Sequence, residues 1–241
     1  MNKKILILAG KPSGIEVLDF LKKFPELSIN IWSSNKELVS SKNHIKYLNN
    51  KKDFVNHFKK SKIIYDFVVL VHWPWLVPEN LFKKFKDSIN FHPAYLPIGR
   101  GWYPHVHAII NNLKWGVTLH QILPGMDDGD VWCQKKIQFD NFSNATELYL
   151  KSKNEMLKLF KKNFVKIISG KISAKKQNKK IITFHKKDLL KYDELKLSKK
   201  YKLEDLIKIS NARSFKKKTF NYFYYKNKRY SFNILIKQIG N

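Results

Sequence analysis

Residues 3–24 read KKILILAGKPSGIEVLDFLKKF. An apolar run, Lys4–Ala9, stops at Gly10, with Pro12 and Gly14 close behind. Ile15, Val17, Leu18, Leu21 and Phe24 then recur at helical spacing. Strand, glycine-containing turn and helix in that order open a doubly wound α/β fold. A near-continuous apolar strand is what a sheet covered on both faces requires. The texture returns at Asp66–His72 (DFVVLVH). Leu27–Trp32 reads as a second strand and Asp53–Phe58 as a helix, and Pro78 suits the first turn of another. Ile89–His92 is a short strand and Trp102–Asn112 a helix. Gly116–Leu123 and Val131–Phe139 are strands joined by a Gly/Asp-rich loop. Ala145–Ile168 carries the longest helical pattern, closed by Gly170.

After Gly170 the composition changes. Lys171–Lys180 is polar and lysine-rich, and reads as a linker. Beyond it lie a strand (Ile181–Phe184), a helix (Leu203–Ser210) and a hairpin, Phe220–Tyr225 and Arg229–Ile236, around Lys226-Asn227-Lys228. The reading is therefore an α/β protein with a mostly parallel, Rossmann-like sheet over residues 1–172. A small helix and β-hairpin module follows over residues 173–241.

Composition narrows the function. Of 241 residues 43% are hydrophobic, which excludes a generally disordered chain. The formal net charge is +28, an electrostatic footprint that nucleic-acid binders share. Yet only Arg100, Arg213 and Arg229 are arginines, and the other 44 basic residues are lysines. Lysine is a hydrated point charge without the planar fork that reads bases and phosphates. Specific nucleic-acid binding is not expected. Cys133 is the one cysteine, so disulfide scaffolds and multi-cysteine zinc sites are excluded, and a reducing, cytoplasmic setting is expected. No segment approaches the ~20 apolar residues of a membrane span.

Chemistry concentrates in residues 89–139, INFHPAYLPIGRGWYPHVHAIINNLKWGVTLHQILPGMDDGDVWCQKKIQF, where lysines are scarce. Asn90 and His92 alternate with Ile89 and Phe91, so on a strand they share one face. Pro93 ends that strand, which puts the pair at its carboxyl end, where open α/β sheets bind ligands. The loop 125–130, GMDDGD, can bring a carboxylate to them. An imidazole takes a proton, an amide NH2 donates to a developing oxyanion, and a carboxylate stabilises the imidazolium. That set suits acyl transfer. No serine or cysteine near the pair in sequence is read as a protein nucleophile, and Cys133 sits inside an apolar strand, so the nucleophile is expected to come from the substrate. His105 and His107 have H-x-H spacing, but i and i+2 do not face each other on a helix. No metal site is expected.

Three ordered motifs make the pattern specific: Asn90-x-His92-Pro93 with Leu96-Pro97 and Arg100-Gly101, then Gly116–His120, then Met126–Val131. Together they resemble the N10-formyltetrahydrofolate-dependent formyltransferases, over roughly residues 1–140. The resemblance implies a one-carbon transferase whose catalytic residues are Asn90, His92 and Asp127. Asp128 and Asp130 compete for the last role. It implies that the formyl donor, N10-formyltetrahydrofolate, lies against Trp75, Leu76, Val77, Leu123 and Met126. His120 falls at a family-like position with a structural role near the site.

Gly99–Pro104 and the tail segments Asn211–Phe215 and Asn221–Phe223 resemble the sugar-nucleotide N-formyltransferases in particular. The implied acceptor is a nucleotide-linked amino sugar, a dTDP-linked 4-amino- or 3-amino-dideoxy sugar, used in O-antigen or other surface polysaccharide. Lys11, Arg100, Trp102, His105 and Tyr222 are the expected acceptor contacts, and a homodimer is expected. The competing readings are a methionyl-tRNA-type formyltransferase, for which the tail looks short, a formyltetrahydrofolate hydrolase, and a basic nucleic-acid binder without enzymatic activity. The chain departs from the family at Ala94, where serine is frequent, and at Lys216–Lys218, where prolines are common.

Overall fold

The computed structural model describes residues 2–40, 44–177, 181–237 and 239–240. A seven-stranded sheet has the order β3-β2-β1-β4-β5-β7-β8. Its strands are β1 (Lys3–Ala9), β2 (Leu27–Ser33), β3 (Lys46–Tyr47), β4 (Tyr65–Val71), β5 (Phe85–His92), β7 (Gly116–His120) and β8 (Val131–Lys136). From β3 to β5 the pairings are parallel. β7 runs antiparallel to β5. Backbone bonds from Gln121 to Asp130 and from Ile137 to Trp115 close β7 and β8 as a hairpin. The expectation of a mostly parallel sheet is met, with an antiparallel edge. The two strands read as Gly116–Leu123 and Val131–Phe139 are shorter than expected, because the chain turns into the 121–130 loop at Gln121 and leaves the ladder after Lys136.

The chain forms two compact units that interleave in sequence. The first comprises residues 1–92, 118–134 and 155–177. It contains α1 (Ser13–Leu21), α2 (Lys36–Ser40) and α3 (Lys51–Lys60). The strand–turn–helix opening is as read. Gly14 lies so close to β1 that an added Cβ would come within 2.3 Å of the Ala9 Cβ. Every residue from Ile5 to Ala9 is fully buried. Trp32, Phe54, Phe58, Tyr65, Val68, Val77 and Leu81 form one core cluster. Phe20, Phe91, Phe160 and Phe164 form another group: Phe160 lies 5.1 Å from Phe91, 5.0 Å from Phe164 and 5.8 Å from Phe20, ring centre to ring centre. Helix α5 (Ala145–Ile168) supplies Phe160 and Phe164 from its C-terminal half. Pro78 leads into a 3-10 turn, Glu79–Lys84, rather than an α-helix.

Lys171–Gln177 is not a free linker. Lys175 and Val131 exchange both backbone hydrogen bonds, at 2.8 and 2.9 Å, an antiparallel bridge that ties the segment to β8. Residues 178–180 of the expected linker lie outside the described residues.

The second unit comprises residues 93–117, 135–154 and 178–241. Its core joins Val106, Ala108, Ile109, Trp115, Ala145, Leu148, Leu189 and Ala212. These come largely from α4 (Pro104–Asn111), the start of α5 and α6 (Leu203–Ala212). Helix α4 starts later than read, since Trp102 bonds to Phe184 and Tyr103 takes a left-handed conformation before Pro104. A short strand, β6 (Ile98–Gly101), pairs in parallel with β9 (Ile182–Phe184). Glycines and a proline surround β6 in sequence, and they hide its strand character. The short strands β10 (Ser214–Phe215) and β11 (Lys218–Thr219) pair antiparallel. The terminal hairpin is β12 (Tyr222–Tyr225) with β13 (Lys228–Ser231). Its turn is the two residues Lys226-Asn227, both at positive φ, as a tight type I′ connection requires. β13 stops at Ser231, short of the expected Ile236; the chain there bonds Phe232 to Asn221 instead.

Arg213 and Asp193, both largely buried, pair at 2.6 Å. His107 is buried and stacks face to face on Phe184 at 3.7 Å. Its Nε2 has no hydrogen-bond partner among the described residues. Burial pushes this imidazole down to about 4, against the pull of nearby Asp188.

Two outcomes follow from this packing. Phe160→Ala should lower the unfolding free energy by about 3–5 kcal/mol in urea titration, the usual cost of emptying a buried aromatic site. A loss below about 1 kcal/mol would show that the aromatic group is not part of a closely packed core. For His107 the unfolded chain takes up a proton near 6.5 and the folded chain only near 4. Stability should therefore decline as pH falls through that window. His107→Phe should show a smaller decline over the same window in a pH series of denaturant melts.

Candidate active site

Strand β5 carries Asn90 and His92 on one face, while Ile89 and Phe91 are buried on the other. The antiparallel partner sets Asn90 directly opposite His120 and His92 opposite Thr118. Directly opposed residues point the same way, so His120 joins the pair. Asn90 Nδ2 lies 3.0 Å from His120 Nε2. His120 Nδ1 lies 2.6 Å from the Gln121 carbonyl. A carbonyl only accepts, so Nδ1 carries a proton, and in the neutral form of the ring Nε2 is the acceptor. That nitrogen accepts from the Asn90 amide, which fixes the amide with its NH2 toward His120 and leaves a second N–H to direct elsewhere.

The carboxylate comes from the loop between β7 and β8. Asp127 Oδ2 is 3.4 Å from His92 Nδ1, and its Oδ1 is 3.6 Å from His120 Nε2. Asp127 therefore stands between two imidazoles that are 5% and 2% exposed. The carboxylate thus faces the Nδ1 side of the His92 ring. Asp128 is exposed, and Asp130 lines a different hollow with Lys3, Asp66 and Trp132. Asp127 is the one of the three that the fold brings to the histidines.

Several bonds hold this loop. Ile122 N–H donates to Ser88 Oγ at 2.7 Å, and Trp132 Nε1 donates to the Ser88 carbonyl at 2.9 Å. Gln121 Nε2 donates to Asp87 at 2.9 Å. Gly129 packs so tightly that an added Cβ would lie 1.7 Å from the Gln121 carbonyl oxygen. Asp127 itself sits at φ 51°, a left-handed conformation uncommon outside glycine, though aspartate is among the better-tolerated residues there. Gln177 donates to the carbonyls of Asp127 and Gly129 at 2.8 and 2.7 Å. Sequence reasoning placed Gln177 in a linker, and no local signal marked it otherwise.

The expected donor-side residues divide. Val77 is buried in the core cluster, and Trp75 packs on Trp73 at 4.9 Å and Phe54 at 6.2 Å. Leu76 is 61% exposed and Leu123 41%, while Met126 is half-buried. Ile122 packs on the same cluster as Trp73, Trp75 and Val77, which draws the 73–77 and 122–126 segments to one place. Trp73 Nε1 is buried without a hydrogen-bond partner among the described residues.

Of the expected acceptor-side residues, Lys11 is exposed in the first unit, in the turn after β1. The other four belong to the second unit. Arg100 is buried on β6, and Trp102 is 45% exposed. His105 lies in the first turn of α4, 6.2 Å from the Tyr149 ring. Tyr222 on β12 has the Arg229 guanidinium 3.8 Å over its ring.

The donor atoms of His92, His120 and Asp127 fall within 4.8 Å of one another, a spacing that could hold a metal ion. The members of this group lie far apart in sequence, unlike the H-x-H pair at 105 and 107. Ligation by His92 Nδ1 would displace the proton that faces Asp127. Burial pushes the Cys133 thiol up to about 12, so it is no nucleophile at neutral pH. What the fold brings together is two imidazoles, an amide and a carboxylate, with no thiol or hydroxyl among the four.

The formyl transferase family model matches residues 28–164. Methionyl-tRNA formyltransferase of Mycoplasma capricolum is 29% identical over 203 residues, 77% of this chain and 64% of that protein. dTDP-4-amino-4,6-dideoxyglucose formyltransferase of Mycobacterium bovis is 30% identical over 111 residues, 46% of this chain and 47% of its own. The chain thus spans less than two thirds of the length of these curated relatives. A sugar N-formyltransferase structure from Shewanella sp. superposes with a TM-score of 0.85 at 20% identity, covering all of both chains. An N-formyltransferase from Helicobacter canadensis, solved with folinic acid and dTDP-3-aminofucose, superposes with a TM-score of 0.68 at 22% identity, covering 88% of this chain and 80% of its own. The family match takes in more than half of the chain and contains Asn90, His92, His120 and Asp127: the protein belongs to the formyl transferase family.

Proposed function

We propose that the protein is an N-formyltransferase that moves a formyl group from N10-formyltetrahydrofolate to the amine of a nucleotide-linked amino sugar. The observation that carries this reading is the cluster of Asn90, His92, His120 and Asp127, whose two histidines are buried and whose four side chains offer a base and an oxyanion donor but no nucleophile. Such a cluster suits a substrate amine attacking an activated acyl carbon.

Leu76 and Leu123 offer apolar surface, and Trp73 Nε1 is a buried donor without a partner among the described residues. That donor set fits a flat heteroaromatic ring with polar edges. Trp75, Leu76, Val77, Leu123 and Met126 would hold such a donor, which supplies an acyl carbon open to attack when bound. His92 Nε2 accepts the proton that the amine sheds. Asp127 holds the imidazole in the required tautomer and stabilises it once charged. The second N–H of Asn90 is the donor for negative charge on the formyl oxygen, held in place because His120 fixes the first.

For the acceptor, the candidate cations for a pyrophosphate are Lys11 and Arg100, and the candidate aromatic faces for a base are Trp102 and Tyr222, each taken on its own. His105 completes the set. Residues 173–241 would serve dimerisation or approach the substrate. The dTDP-linked 4-amino-4,6-dideoxyglucose or its 3-amino isomer is the favoured acceptor, feeding surface polysaccharide. The M. bovis relative acts on the first by name, and the H. canadensis protein was solved with a dTDP-3-amino sugar. The M. capricolum match favours charged initiator tRNA as the second reading.

A mass-spectrometric assay tests this directly. The protein is incubated with N10-formyltetrahydrofolate and each of the three acceptors. A formyl mass gain on a dTDP sugar is expected, and a gain on tRNA alone would replace the proposal by the second reading. His92→Ala should lower kcat by about 10²–10⁴-fold. Asn90→Ala should lower it by about 10²–10³-fold. Full turnover in either variant would remove that residue from the mechanism.

A further inference from the structure

Asp127 is held by more than its own loop. The Gln177 side chain sends both of its amide protons to that loop, one to the Asp127 carbonyl at 2.8 Å and one to the Gly129 carbonyl at 2.7 Å. Two residues upstream, Lys175 is bonded to Val131 through both backbone groups. The segment thus grips the loop at three consecutive odd positions, 127, 129 and 131.

The loop has reason to need that grip. Asp127 occupies the left-handed region, which costs energy for a residue with a side chain. Released, the backbone would relax toward more populated angles and swing the carboxylate. The carboxylate now sits 3.4 Å from one imidazole and 3.6 Å from the other. A peptide rotation that moved it by an ångström would take it out of reach of His92 Nδ1.

We propose that Gln177 is a positioning residue for the reaction: its side-chain amide pins the Asp127 and Gly129 carbonyls and so holds the Asp127 carboxylate between His92 and His120. The proposal rests on the reading of Asp127 as the group that orients His92. Gln177 acts through the loop.

Three substitutions separate this role from ordinary packing. Gln177→Leu keeps the volume and removes both donors. Gln177→Glu places oxygens against two carbonyls. Gln177→Lys restores donors on a longer stem. In the formyl-transfer assay, Leu and Glu should lower kcat by about 10–100-fold, the scale of an ångström misplacement. KM for donor and acceptor should stay within about threefold. Lys should recover a clear part of the lost kcat. In the substrate-free protein, the imidazole ¹⁵N signals of His92 should move in the Leu and Glu variants and return toward their native positions in the Lys variant.

Native kcat in Gln177→Leu, or a rise in KM at constant kcat, would overturn the proposal. So would His92 signals that superimpose on those of the native protein. Should Leu fail to fold, Gln177→Asn makes the same comparison, since its shorter amide cannot reach both carbonyls. If the native protein formylates none of the acceptors, the proposed function falls, and the His92 signals still decide whether Gln177 holds the loop.

Discussion

Asn90 and His120 face each other across the antiparallel β5–β7 pair, where the parallel part of the sheet gives way to the β7–β8 hairpin. Most of the site depends on that register. A shift of one residue would turn every side chain of β7 to the opposite face. His120 would leave Asn90, and Leu119 would meet the amide instead. The hairpin that carries β7 also carries the 121–130 loop, so the same register decides where Asp127 arrives. Ser88, two residues before Asn90, accepts from both ends of that loop. Strand and loop are thereby set by one stretch of backbone.

The polar groups around Asn90 form a chain of dependent choices. Gln121 offers only a carbonyl to His120 Nδ1, which decides the tautomer. The tautomer decides which end of the Asn90 amide faces the ring. That in turn decides whether the remaining group on Asn90 can donate. No single member has the chemistry alone. The histidines are nearly excluded from solvent, which strengthens each of these bonds relative to water and makes a wrong partner costly.

Much of this was legible in the chain. The alternation of Asn90 and His92 with Ile89 and Phe91 showed the shared face, and Pro93 showed where it ends. The strand–glycine–helix opening and the 24-residue pattern of α5 were plain because their periodicity is long and unbroken. The misses have a common cause. β6 is four residues with two glycines, too short for a pattern. His120 reaches Asn90 through a strand pairing that sequence spacing does not reveal. Gln177 sits among lysines in a polar stretch and acts through contacts 48 and 50 residues away. Local propensity carries no trace of such contacts. The candidate metal geometry was hidden for the same reason, since its three donors become neighbours only once the hairpin has formed.

The first unit is discontinuous in sequence, and its last segment ends at Gln177. A chain made from its amino end therefore displays β5 and the hairpin well before the segment that steadies the loop exists. The sheet's parallel centre can assemble early, since β1, β2, β4 and β5 all lie within the first 92 residues. The Asp127 loop must wait for some fifty more residues to emerge after it. The nascent protein would then acquire its histidines and its amide in place first, and the Asp127 carboxylate last.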